Sequence, residues 1–369
     1  MKSVTVSLKD RSYPILIGKG LLNSVGRLLK KSGLSGKSVL VVTQKEIASL
    51  YRGPLSSALE AEGFHPNFFI TPSKESSEAA KTQEVYSKLI KFIAASDGGN
   101  RSAVLMALGG GVIGDLTGFA AGVYRRGIPY VQIPTTLTAQ VDSAIGGKTG
   151  IDLPEGKNLL GVIYQPTFVL GDTALLESLP ARHWSDGFAE VIKYGVIKDP
   201  GLFLLLEKYG KDGVLKRPAM LEKVIFRCAK IKARVVEKDE YDKKNIRIIL
   251  NFGHTAGHAI EAASSFSRQY THGEAIAIGM LIACDISEKL GVLKDRALTE
   301  RLEQTLIKYN LPLFYKGLTA ETLLKAMGYD KKAEAGVNRF VLPISLGKVT
   351  VVRNVPVPVI LESLQKRKG

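Results

Sequence analysis

Three of the chain's five histidines fall within one short stretch: His254 and His258 in Asn251-Phe-Gly-His-Thr-Ala-Gly-His-Ala-Ile-Glu261, and His272 in Thr271-His-Gly-Glu274. Neutral imidazole is the commonest metal ligand. Helical positions four apart share a face and lie about 6 Å apart along the axis. His254 and His258 can therefore address one ion, with His272 as a third ligand and a carboxylate completing the set. The same spacing also suits one ligand and one acid/base residue, so it does not say which histidines bind. A single histidine is more often satisfied by backbone carbonyls, but three together favour a metal. His65 and His183 stand apart from other candidate ligands and read as structural.

A second constellation lies upstream. The apolar run Ala103–Leu108 leads directly into Gly109-Gly-Gly-Val-Ile-Gly-Asp115, a G-x-G-x-x-G pattern between a strand and a helix. Glycines there let backbone amides approach a pyrophosphate, and the positive end of the following helix complements its charge. The acidic residue that normally follows about twenty positions later is missing, since that region reads Tyr130-Val-Gln-Ile-Pro-Thr-Thr136. Thr135 and Thr136 instead end another apolar run. Hydroxyls at the carboxyl end of a strand can meet a ligand in the sheet crevice, so the two strand ends point to one crevice.

These residues need elements to hold them. Short β-branched runs at Ser38–Thr43, Phe64–Ile70, Ala103–Leu108, Tyr130–Ile133 and Phe168–Leu170 alternate with helical patterns such as Lys45–Glu62 and Glu75–Ala95. That alternation predicts βαβ units and a parallel, Rossmann-like sheet. After Pro180 helical spacing takes over, at Ala181–Ile197, Ala219–Lys238, Gly253–Ala263, Gly273–Leu290 and Leu298–Tyr309. A small hairpin is expected from Arg339–Leu346 and Lys348–Arg353, and a last helix from about Val359. The expected fold is an α/β N-terminal domain over residues 1–175 and a mainly α-helical C-terminal domain over 176–369, with the boundary near 172–181.

Composition narrows the classes. With 369 residues, 45% hydrophobic and 23% charged, the chain is long enough for two cores and too apolar for disorder. The amino terminus alternates like a strand and lacks a signal-peptide core, and no apolar run approaches the ~20 residues of a membrane span. Two cysteines, Cys228 and Cys284, exclude a disulfide framework. A cytoplasmic location is expected. The formal charge of +16 favours anionic partners. The basic residues are dispersed and no nucleic-acid motif is present, which disfavours nucleic acid, but charge alone does not choose among the other anionic partners.

Taken together, Gly109-Gly-Gly-Val-Ile-Gly-Asp-Leu-Thr-Gly118, Ile133-Pro-Thr-Thr136, Val141-Asp-Ser-Ala-Ile-Gly-Gly-Lys148, Gly156-Lys-Asn158, Phe188-Ala-Glu190, Asn251-Phe-Gly-His254 and His272-Gly-Glu274 resemble the 3-dehydroquinate synthase family. The match runs in order along nearly the whole chain. The resemblance implies two-domain enzymes, often homodimers, with an NAD-binding α/β domain and a helical metal-binding domain. It also implies the conversion of 3-deoxy-D-arabino-heptulosonate 7-phosphate to 3-dehydroquinate in the shikimate pathway. That conversion combines transient oxidation, phosphate elimination, reduction, ring opening and intramolecular aldol closure.

Carried over residue by residue, the resemblance makes Glu190, His254 and His272 the metal ligands, with zinc suited to two imidazoles and a carboxylate and cobalt compatible. It leaves His258 as an active-site hydrogen-bonding or proton-handling residue. It sets Lys148, Asn158 and Arg247, with Asp142, Lys157, Lys193, Lys232 and Asn251, against the substrate, and brings Arg126 from a dimer partner. Gly110, Gly111, Asp115, Thr135, Thr136, Glu78 and Lys81 would contact NAD. Gln44, Ser77 and Ser178 depart from the family pattern on the adenosine side. A related sugar-phosphate cyclase and a metal-dependent polyol dehydrogenase are the rival enzymes. The dehydrogenases should lack the set of Lys148, Lys157, Asn158 and Arg247. A basic nucleic-acid-binding protein on an enzyme scaffold is a rival of another class.

Overall fold

The amino-terminal strands are apolar, β-branched runs too short for helices. In the computed structural model, described over residues 1–72, 80–97, 102–264, 269–328 and 338–369, they are β1 (Lys2–Val6), β2 (Tyr13–Gly18), β3 (Ser38–Gln44), β4 (Pro66–Thr71), β5 (Ala103–Gly109), β6 (Tyr130–Pro134), β7 (Lys148–Leu153), β8 (Gly156–Ile163) and β9 (Val169–Asp172). Between them lie α1 (Val25–Lys31), α2 (Lys45–Glu60), α3 (Gln83–Ser96) and α4 (Gly111–Val123). Seven strands form one sheet in the order β1-β2-β9-β6-β5-β3-β4, parallel except for β1 with β2. The remaining pair, β7 and β8, is an antiparallel hairpin packed beside α4.

Alternation along the central strands divides the core in two. Val39, Val41, Val104 and Met106 face Leu29, Leu55 and Leu59 of α1 and α2. Leu40, Val42, Leu105 and Ala107 face Leu89, Ile93, Leu116 and Phe119 of α3 and α4. From β3 the chain crosses to β4 on one side, then returns to β5 on the other. Open α/β sheets bind ligands at such a reversal, outside the carboxyl ends of the strands.

The helical half contains α5 (Ala181–Ile197), α6 (Pro200–Leu215), α7 (Pro218–Lys238), α8 (His254–Ala263), α9 (His272–Lys289), α10 (Leu298–Lys308), α11 (Ala320–Ala326) and α12 (Val357–Lys366), with the hairpin β10 (Arg339–Ser345) and β11 (Lys348–Arg353) before the last helix. Helix α9 is buried continuously from Ala275 to Ser287, which makes it the central helix of this half. No helix among the described residues is long and apolar enough to cross a membrane.

The chain divides into two units, Met1–Leu179 with Lys232–Tyr241, and Pro180–Ile231 with Asp242–Gly369. A single cut near residue 175 does not anticipate the return of Lys232–Tyr241 to the first unit. Specific long-range bonds cause it. Glu237 accepts from the Ser7 N–H at 2.9 Å, Arg11 Nη2 donates to Glu240 at 2.9 Å, and Lys232 lies 2.6 Å from the Asp142 carboxylate. Two element starts also differ from expectation. The strand expected from Phe64 begins at Pro66, because the Phe64 N–H still donates to Leu59 at the end of α2. Thr82 caps α3, so the helix starts later than the expected Glu75, which lies outside the described residues.

Candidate active site

Helix packing in the second unit brings the histidines together. Gly253, with φ +81°, starts α8, and a Cβ on Gly279 of α9 would stand 2.0 Å from the Gly253 carbonyl oxygen. A Cβ on Gly257 would stand 2.6 Å from Ile276. Only glycine permits this approach. At the other contact, a Cβ on Gly273 would meet Asp186 of α5 at 2.2 Å, and the Gly273 N–H donates to Asp186 Oδ1 at 2.5 Å. Asp186 thus binds the N-terminus of α9, where an anion is favoured, and one turn farther along α5 stands Glu190.

Glu190 is fully buried. Its Oε1 lies 3.2 Å from His272 Nε2 and 3.6 Å from His254 Nε2. Both rings are oriented from behind. His254 Nδ1 faces the Phe252 carbonyl at 3.2 Å, and His272 Nδ1 faces Glu261 Oε2 at 3.2 Å. An acceptor behind each Nδ1 favours a proton there and leaves Nε2 to take a metal. The three ligand atoms lie within 4.8 Å of one another, and this donor set fits zinc or cobalt.

The electrostatics of His254 and Glu190 agree with that fit. Burial and the nearby Lys193 push His254 down to about 3, which keeps its imidazole neutral, as a ligand must be. Burial would raise Glu190, but the Lys193 ammonium against its second oxygen and the two histidines hold it well below the usual carboxylate range. Burial opposes the charge on His272 as well, yet its bonds to Glu190 and Glu261 raise it well above an ordinary histidine, so a metal bound there has to displace its proton.

His258 lies one turn beyond His254, with ring centroids 5.2 Å apart, and is exposed. His258, Glu261 and His272 also offer three ligand atoms within 4.8 Å, but His272 turns a different nitrogen to Glu261 than to Glu190. Arg247 is buried and Asn251 is exposed. Glu261 and Asp186 were not singled out from sequence. Glu261 lies in the same histidine-rich stretch, whereas nothing local marks Asp186.

In the first unit the ends of β5 and β6 lie side by side. The Thr135 N–H donates to the Gly109 carbonyl at 3.0 Å, and a Cβ on Gly110 would approach the Thr136 methyl at 3.1 Å. Gly110 and Gly111 open α4, giving free amides at a helix N-terminus. The Thr135 hydroxyl is buried without a hydrogen-bond partner, an arrangement that suits a ligand in this crevice.

Lys81 is buried, and its ammonium lies 2.9 Å from Asp115 of α4 and 2.5 Å from Asn158 Oδ1. It therefore joins the glycine-loop helix to the hairpin that carries Lys148, Lys157 and Asn158. Asn158 holds φ +55°, and its N–H donates to Asp152 at 2.8 Å. Lys148 and Lys157 are exposed on that hairpin. Lys232 bonds both the carboxylate and the backbone carbonyl of Asp142. Arg126 is exposed on the turn after α4, while Glu78 and Ser77 lie outside the described residues. Gln44 ends β3, and Ser178 accepts from the Tyr51 hydroxyl at 2.8 Å.

Residues 72–186 match the family described as 3-dehydroquinate synthase N-terminal, and residues 187–333 match 3-dehydroquinate synthase C-terminal. The chain is 44% identical over 367 residues to a 3-dehydroquinate synthase from Acidithiobacillus ferrooxidans, covering 99% of this chain and 98% of that one. Among solved structures it resembles the 2-epi-5-epi-valiolone synthase ValA from Streptomyces hygroscopicus with NAD+ and Zn2+ bound (TM-score 0.85, 28% identity, 98% of each chain). It also resembles 2-deoxy-scyllo-inosose synthase complexed with carbaglucose-6-phosphate, NAD+ and Co2+ (TM-score 0.87, 25% identity, 99% of this chain and 100% of that one). Both solved relatives are sugar-phosphate cyclases, but the greater identity lies with the dehydroquinate synthases. With both halves matched and the similarity continuous from end to end, the chain belongs to the 3-dehydroquinate synthase family.

Proposed function

We propose that the protein converts 3-deoxy-D-arabino-heptulosonate 7-phosphate to 3-dehydroquinate and phosphate in the shikimate pathway, with Glu190, His254 and His272 holding the metal. The convergence of these three donors on one point supports the ligand assignment. When bound, NAD supplies a reversible hydride acceptor and the divalent ion polarises an alcohol oxygen.

The chain's own residues bind and orient the substrate. Arg247 offers a planar fork to a carboxylate or phosphate, and Lys148 and Lys193 supply compact positive charge. Asn158, on the hairpin tied to α4 through Lys81, offers its side-chain amide to the substrate, and His258 holds or passes a proton near the ligands. Asp142, Lys157, Lys232 and Asn251 complete the polar set. Gly110, Gly111, Asp115, Thr135, Thr136, Lys81 and Glu78 serve NAD. The enzyme works as a homodimer in the cytoplasm, with Arg126 serving the partner's site. Its two cysteines are buried and form no disulfide, which suits a reducing compartment.

The purified protein, given the heptulosonate phosphate, catalytic NAD and zinc, is expected to release phosphate and form dehydroquinate without net NADH. Stoichiometric NADH would establish a polyol dehydrogenase instead. Lys148→Ala is expected to lower turnover by ~10²–10³, the usual loss for one preorganised donor, with NAD and zinc affinities unchanged by equilibrium titration. Normal turnover with weakened NAD binding would move Lys148 to the cofactor.

A further inference from the structure

Three consecutive residues after α4, Arg125 (φ +49°), Arg126 (φ +64°) and Gly127 (φ +121°), occupy the left-handed half of backbone space. Glycine enters it freely, but two adjacent arginines do so only under strain. Such strain persists where the surroundings over-determine the conformation, and here they do. The Gly127 N–H donates to Tyr124 at 2.9 Å, the Ile128 N–H donates to Ala121 at 3.0 Å, and the Tyr164 hydroxyl donates to the Ile128 carbonyl at 3.0 Å.

The strongest restraint is ionic. Arg125 Nε lies 2.9 Å from Oδ2 of Asp97, whose side chain is 0% exposed. The same carboxylate accepts from the Ala103 N–H at 3.1 Å and the Tyr124 hydroxyl at 3.2 Å. Both arginines are exposed, but Arg125 is tied to a buried carboxylate at the end of α3. A solvated surface arginine needs no fixed direction. A guanidinium that grips an anion through its planar fork does.

We propose that Asp97 and Arg125 are positioning residues, holding the strained turn so that Arg126 is aimed at an anionic group of the substrate bound to a second subunit. This rests on the reading of Arg126 given above. Because the strain serves direction rather than stability, Arg126→Gly should raise the melting temperature by ~2–4 °C while weakening substrate binding.

The decisive measurements are steady-state KM and kcat, with NAD affinity and zinc content as controls, on Arg126→Ala, Arg125→Gly, Asp97→Asn and the double variant Arg125→Gly/Arg126→Ala. Arg126→Ala should raise KM by about 10–100-fold, the range for losing a hydrogen bond to a charged group. Arg125→Gly and Asp97→Asn should raise KM in the same direction, Arg125→Lys should recover part of the loss, and the controls should stay unchanged. In the double variant Arg125→Gly should add nothing, because the group it aims is gone. A normal KM in Arg125→Gly and Asp97→Asn beside an impaired Arg126→Ala overturns the positioning role alone. Additive losses in the double variant would do the same.

Subunit mixing tests the underlying reading separately. Arg126→Ala and His254→Ala proteins, each inactive or impaired alone, should regain roughly a quarter of wild-type activity when dissociated and reassociated, from the one intact site of each mixed dimer. No regain, or wild-type kinetics in Arg126→Ala, overturns both the reading and the proposal.

Discussion

His254→Ala is expected to leave the protein folded, with zinc far below one equivalent and turnover reduced by at least ~10³, since a metal that polarises the reacting group contributes several kcal/mol at the transition state. The removed ring faces the fully buried Glu190 carboxylate at 3.6 Å. Without it the ion keeps one imidazole and one carboxylate, too few for a stable three-residue site. NAD affinity should survive, because the glycine loop belongs to the other unit. Elemental analysis beside equilibrium NAD titration checks both halves of the expectation. A full equivalent of tightly held zinc with normal turnover would remove His254 from the ligand set.

Gly279→Ala is expected to be as damaging without touching a ligand. The added methyl would stand 2.0 Å from the Gly253 carbonyl oxygen and 2.8 Å from the Gly257 backbone nitrogen, and backbone cannot rotate aside as a side chain can. Overpacking ordinarily costs about 1–3 kcal/mol, and a clash with backbone at this distance belongs beyond that range. To relieve it α8 must move away from α9, taking His254 from His272. The soluble fraction should therefore melt lower and lose zinc together. The control is Gly53→Ala in α2, where a Cβ meets nothing within 4 Å and helix propensity favours alanine by ~1 kcal/mol. Wild-type zinc content and melting in Gly279→Ala would show that the helix crossing does not set the site.

These two substitutions mark the limit of what the sequence could tell. Periodicity locates α5 as Ala181–Ile197 and the strands β3, β5 and β6 nearly to the residue, because each is regular and buries a continuous face. The hairpin β7–β8 escapes such reading. Its second strand has no buried position and carries Gly156 and Gly161, so no alternation marks it. Ligand types were visible in the crowding of His254, His258 and His272. Choosing among them required the family motif, because i to i+4 spacing fits both His254 and His258, while only His254 faces Glu190. Asp97 is the plainest omission. Its segment, rich in glycine and polar residues, reads as a loop, yet its carboxylate is wholly buried by Arg125, Tyr124 and the backbone of β5. Contacts of that kind join distant segments and leave no local pattern.

The division of α7 bears on how this protein can be recombined with its relatives. Its last residues, with the segment to Tyr241, belong to the amino-terminal unit, where Lys232 bonds Asp142 and Glu237 holds the Ser7 amide. A chimera joined once near residue 180 would pair each sheet with another enzyme's version of this ten-residue insert. Asp142 would then depend on a lysine selected in a different background. The two units are therefore not interchangeable cassettes. A functional exchange requires crossovers on both sides of Lys232–Tyr241 as well, so inheritance of the two halves is coupled.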